Sequence, residues 1–135
     1  MSTFKYYSAS VAFGTKQINW LTDTIQALLV GAGYAPSQAH DQYVSDIPSA
    51  AIITRSGPFT SKQILNGVCQ GLCPQFLSLT STTLCTGLVI YKNSGADNTS
   101  QLLYFSDQGF GFPFLPQGLN YFVTYDQSNG GWFQL

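Results

Sequence analysis

The chain predicts a mainly β domain: an antiparallel β-sandwich or barrel-like sheet with one or two short helices. Three observations carry that prediction. First, Thr86–Lys92 and Gln101–Asp107 are apolar, β-branched and aromatic runs separated by Asn-Ser-Gly-Ala-Asp-Asn-Thr-Ser, which is how a hairpin is written in sequence. Second, all six acidic residues are Asp and Glu is absent, whereas exposed helix faces draw on Glu, Lys and Ala. Third, many short apolar runs are punctuated by Gly, Pro and Asn, the pattern of a sandwich rather than of a helical bundle.

Within the hairpin, Leu88, Val89, Ile90 and Tyr91 run on without alternation, so this strand is expected to be central and covered on both faces, with Leu102–Ser106 as its partner. Ahead of it, residues 5–13 read as a short helix ended by Gly14 or as an edge strand. Gly14–Gln17 is a turn and Ile18–Leu21 a short extended piece. Thr24–Val30 reads as a buried strand, closed by Gly31-Ala-Gly33. Pro36 is placed to start a brief helical turn, and Asp41–Ile47 continues as turn or short helix until Pro48.

Ala50–Thr54 is a further apolar strand, Phe59–Val68 a half-exposed one, and Gln75–Leu79 resumes after Gly67, Gly71 and Pro74. Residues 108–118 hold two prolines and three glycines and are expected to be neither strand nor helix, yet they carry Phe110, Phe112, Phe114 and Leu115. Leu119–Tyr125 alternates as a strand, and Asn129-Gly130 is a strong two-residue hairpin signal, so Trp132–Leu135 is expected to fold back on it. Contacts between the two ends of the chain should close the domain.

At 135 residues the chain reads as one domain, with residues 1–14 as an N-terminal contact arm. Only 8% of residues are charged, aromatics reach 15%, and the net charge is -1. The cations Lys5, Lys16, Lys62, Lys92 and Arg55 are scattered, which argues against nucleic acid as a partner. No apolar run approaches the roughly 20 residues of a membrane helix, and the first residues lack a signal-peptide pattern. A surface so poor in charge repels its neighbours weakly and suits a protein packed in an assembly.

Cys69, Cys73 and Cys85 are expected to be buried free thiols; their spacing does not support a zinc site. Enzyme motifs are missing too. There is one histidine, no Gly-x-Ser-x-Gly elbow, no phosphate loop and no calcium-loop spacing. The expectation is therefore a protein without catalytic residues, metal or cofactor. His40, Asp41 and Asp46 are assigned to hydrogen bonds within an irregular loop. Candidate partner contacts are Phe110, Phe112, Phe114 and Leu115, whose rings either extend the core or form an apolar contact surface, and the N-terminal group Phe4, Tyr6 and Tyr7.

The run Asp23-Thr-Ile-Gln-Ala-Leu-Leu-Val30, then Tyr34-Ala-Pro36, His40 and Ser45-Asp46-Ile47, resembles a family of small virion proteins of tailed bacteriophages. Gly87-Leu-Val-Ile-Tyr91-Lys, the polar loop and Leu102–Asp107 are similar to that family's second hallmark, an aliphatic-Tyr strand paired across a Gly/Asp/Thr loop. The likeness runs from about residue 18 to the C-terminus. After Arg55 the chain departs from it, with Gly57-Pro-Phe-Thr-Ser-Lys62 where relatives tend to have Gly-Tyr-x-x-Gly-Gly.

What the resemblance implies is a non-enzymatic head decoration or cement protein. It would bind the phage major capsid protein on the capsid surface, after assembly in the host cytoplasm, as a homo-oligomer with a trimer favoured. A tail, neck or fibre component is the alternative within the virion. A host-glycan module using Trp20, Trp132 or tyrosines as sugar platforms is the alternative from another class.

Overall fold

Tyr91 and its neighbours form the middle of the molecule. In the computed structural model, which describes residues 3–80, 83–108, 112–123 and 131–135, Leu88, Val89, Ile90 and Tyr91 are all at most 1% exposed. The strand that holds them (β7, Gly87–Lys92) lies third of five in the largest sheet, whose order is β1-β8-β7-β2-β3. Its neighbours are β2 (Ile25–Val30) and β8 (Gln101–Ser106), with β1 (Thr3–Lys5) and β3 (Ile52–Arg55) at the edges. Every described pairing is antiparallel. The fold is mainly β and sandwich-like, with one α-helix, α1 (Tyr7–Gly14).

The absence of alternation in β7 follows from what covers it. Val89 pairs with Phe105, and Phe105 meets Phe4 and Tyr34 at ring distances of 5.5 and 6.0 Å on one face. Ile90 pairs with Tyr104, which stacks on Phe133 at 5.5 Å on the other. Successive side chains point to opposite faces, so a strand covered twice must be apolar throughout. Gly87 completes it, because a Cβ there would come within 2.8 Å of the Phe105 ring.

A three-stranded sheet, β10-β5-β4, supplies the second cover. It comprises β4 (Thr60–Leu65), β5 (Val68–Leu72) and β10 (Phe133–Gln134). β4 and β5 are joined by Asn66-Gly67, with φ of 54° and 78°; two positive φ values in a two-residue loop make the tight hairpin turn for which Asn-Gly is favoured. Phe133 is ringed by Trp20, Phe13 and Tyr104, and Trp132 by Phe59. A small third sheet pairs β6 (Phe76–Thr80) with β9 (Gln117–Tyr121).

Several expectations change. Of the two alternatives for residues 5–13 the helix is the one found, as α1, which runs through Gly14, while the edge strand β1 lies ahead of it and reaches only Lys5. Ile18–Leu21 is not extended, because the Asn19 carbonyl takes the backbone N–H groups of Thr22 and Asp23 and turns the chain. Phe59–Val68 is not one strand but β4 and the start of β5. The Asp41–Ile47 stretch contains a 3₁₀ turn at Val44–Asp46, and another at Ser49–Ala51 precedes β3. The C-terminal strand pairs with β5, Phe133 opposite Cys69, and not with β9. The turn at Asn129-Gly130 and residues 124–125 of the expected strand lie outside the described residues.

The two ends do meet, through the Lys5 ammonium on the Gln134 carbonyl at 3.0 Å. Within residues 3–14, β1 pairs with β8, and the Tyr6 backbone N–H donates to the Leu103 carbonyl.

Helix α1 is held by its inward Ala9 and Ala12. Beside them the Ser8 hydroxyl is buried with no hydrogen-bond partner among the described residues. A buried unpaired hydroxyl is a cost that alanine removes, and alanine also favours helix. Ser8→Ala is therefore expected to raise the unfolding free energy by about 0.5–1 kcal/mol in a urea titration. A loss of stability would mean that the hydroxyl is in use.

Candidate functional site

The aromatic loop turns its rings inward. Phe112 and Phe114 stack at 5.9 Å, Phe114 lies 4.3 Å from the Tyr121 ring, and Tyr121 reaches Phe76 at 6.2 Å. Backbone hydrogen bonds between Cys85 and Phe114 in both directions pin the loop to the segment before β7. Phe112 and Phe114 are half-buried as a result, and the core reading applies to them. Leu115 behaves otherwise. It is 46% exposed, and the antiparallel bridge sets it opposite Leu84, itself 49% exposed. Phe110 lies outside the described residues.

The N-terminal group divides in the same way. Tyr6 is fully buried, which removes it from any contact surface, and Phe4 packs edge-on against it at 5.2 Å. Only Tyr7 faces outward, one helical turn before the exposed Val11. A third apolar group was not foreseen: Ile64 and Leu65 near the tip of the β4–β5 hairpin, with Leu135 bonded by its N–H to the Gly67 carbonyl of the turn. The Asn66-Gly67 dipeptide was the available signal for that tip.

Asp41 and Asp46 hold backbone through their carboxylates. Asp41 accepts hydrogen bonds from the Tyr34 hydroxyl at 2.8 Å and the Ser37 N–H at 2.9 Å, and the Tyr6 hydroxyl in turn donates to Tyr34 at 2.7 Å. Burial pushes both tyrosines above the usual phenol range. Asp46 takes the N–H groups of Gln42 and Tyr43, and His40 is exposed with its backbone N–H on Ser37. Each carboxylate is engaged within its own turn.

The cysteines are free and buried, and burial raises the Cys69 thiol to about 12 and those of Cys73 and Cys85 to about 11. Such thiols stay protonated near neutrality and are poor nucleophiles. Among the described residues no three His, Cys, Asp or Glu side chains gather in a way that could hold a metal ion, and no helix is long and apolar enough to cross a membrane. Both tryptophans are buried and donate their ring N–H groups to backbone, Trp20 to Gln70 and Trp132 to Gly71.

Of the two ion pairs among the described residues, Arg55–Asp97 and Lys92–Asp23, the first is the more exposed: Arg55 meets Asp97 through two hydrogen bonds of 2.7 and 2.8 Å, with its guanidinium 5.9 Å from the Tyr91 ring centroid. It ties the end of β3 to the loop between β7 and β8 and holds the Asp97 carboxyl below the usual range. With side chains 37% and 47% exposed, solvent screens the pair. Asp97→Asn should cost only about 0.5 kcal/mol, an effect that shrinks as salt is added to a thermal melt.

No protein-family model matches the chain, and no curated protein matches it.

Proposed function

We propose that this chain is a non-enzymatic structural protein of a tailed-phage virion, and most specifically a decoration protein that binds the outer face of the capsid lattice. The observation that carries the reading is the exposed apolar set Tyr7, Val11, Ile64, Leu65, Leu84 and Leu115 on a chain with only 8% charged residues. Exposed apolar side chains on a weakly charged surface favour contact with other proteins. The sequence resemblance supplies the kind of partner. Of the sugar platforms the glycan alternative would use, Trp20 and Trp132 are largely buried and Tyr7 is exposed.

A module of this kind works by adding buried area across the seams between capsid subunits. Because it binds the assembled lattice and not the free subunits, it stabilises the assembled state by mass action. A closed trimer on a local three-fold position would multiply weak contacts into a tight one.

The test is to titrate purified protein onto capsids that lack it. Saturable binding and a higher disruption temperature are expected. Leu84→Asp with Leu115→Asp should weaken binding by about tenfold or more while the protein still melts cooperatively. Absence of saturable binding would overturn the proposal.

A further inference from the structure

A recess of about 360 Å³ opens where the two ends of the chain meet, lined by Lys5, Val68, Tyr104, Trp132, Phe133 and Gln134, with Gly131 in its wall. We infer that this recess is a binding site for a small organic monocarboxylate with a flat apolar body.

Its walls come from four strands that belong to two different sheets. Lys5 is on β1, Tyr104 on β8, Val68 on β5, and Phe133 and Gln134 on β10. The site is therefore preformed, as small-ligand sites usually are, and its volume is near the lower end of their roughly 300–1,000 Å³ range. Three of the seven lining residues are aromatic, and the stacked Tyr104–Phe133 pair, 5.5 Å apart and 17° from parallel, fixes one wall. A flat ring or a short branched chain suits such walls.

Charge selects the rest of the ligand. Among the described residues of the lining, Lys5 is the one ionised side chain. Among the described residues its ammonium donates only to the Gln134 carbonyl, which occupies one of its three hydrogens. This ammonium has no anionic partner among the described residues, and its contact with Gln134 is exposed, so it can meet an anion arriving from solution. One cation balances one negative charge. A phosphate dianion would want a second cation, and the described lining provides none.

The experiment titrates benzoate into the full-length protein, followed by amide chemical shifts and calorimetry, with benzamide and inorganic phosphate as comparison probes. Expected are saturable shifts at Lys5, Tyr104 and 131–134, benzamide binding about tenfold or more weaker than benzoate, and no matching response to phosphate. Lys5→Met should lose benzoate by a similar factor, and Lys5→Arg should retain it. The arginine variant and the benzamide comparison keep the test decisive if the methionine variant does not fold. Equal binding of benzoate and benzamide, an equal response to phosphate, or no saturable shift would overturn the assignment. None of these outcomes bears on capsid binding.

Discussion

Aspartate in place of Ile90 leaves the chain unfolded at neutral pH. Ile90 is fully buried in the central strand, with Ala27 opposite it on β2 and Tyr104 on β8. An isolated carboxylate there would lose its hydration with no cation at hand, a penalty of several kcal/mol even after the surroundings relax. The apolar contacts of the isoleucine would go as well, at about 2–5 kcal/mol for a truncation of this kind. Against a total stability of about 5–15 kcal/mol the sum is close to the whole. Ile90→Val, which removes one methylene, should cost only about 0.5–1.5 kcal/mol and keep a cooperative melt. Circular dichroism on the two variants decides it. A cooperative transition for the aspartate variant near that of the wild type would show that the strand is not central.

Alkaline pH is expected to unfold the protein steeply. In the unfolded chain the thiols titrate near 9.0, whereas in the fold Cys69 is raised to about 12 and Cys73 and Cys85 to about 11. The folded state therefore keeps protons that the unfolded state sheds. The stability these groups contribute is complete below about pH 9 and drains away as pH climbs toward 11–12, by about 1.4 kcal/mol per pH unit for each thiol not yet ionised in the fold. Tyr6, Tyr34 and Tyr121, all raised by burial from an ordinary value of 10.0, push in the same direction above pH 10. Urea titrations at neutral pH and at each unit up to 11 should show a falling midpoint. Thiolate absorbance should appear with unfolding and not before it. A midpoint that holds constant to pH 11, or thiols that ionise near 9 in folded protein, would contradict the burial of the three cysteines.

How far the sequence reached depended on the range of the interaction. Strand β7 and its partner β8 were legible because a continuous apolar run and a turn cluster are local signals, and burial on both faces leaves no other reading of Leu88–Tyr91. The β4–β5 hairpin carries an equally local signal in Asn66-Gly67, but the mixed polar and apolar run Phe59–Val68 reads as one strand across that turn. The partner of the last strand was not local at all. Phe133 pairs with Cys69 across 64 residues, a choice set by Trp20, Phe13 and Tyr104 gathering around its ring.

The same limit governs the surface. Phe112 and Phe114 look alike in sequence to an exposed contact loop, and only Tyr121 and Phe76, folded beneath them, decide that the rings point inward. Tyr6 and Tyr7 are neighbours in sequence, yet one is wholly buried and the other 58% exposed, because β1 ends and α1 begins between them. Asp41 and Asp46 are readable as loop-holding residues, since Asp near turns commonly accepts backbone N–H groups, whereas the His40 side chain is exposed.

The most direct measurement for the proposed role is the number and position of copies of this chain in the intact particle, from a density map with quantitative mass spectrometry of the same preparation. Decoration predicts on the order of hundreds of copies, seated on the outer capsid face in fixed proportion to the major capsid protein. A handful of copies confined to the tail or neck, or none in the purified particle, would contradict it.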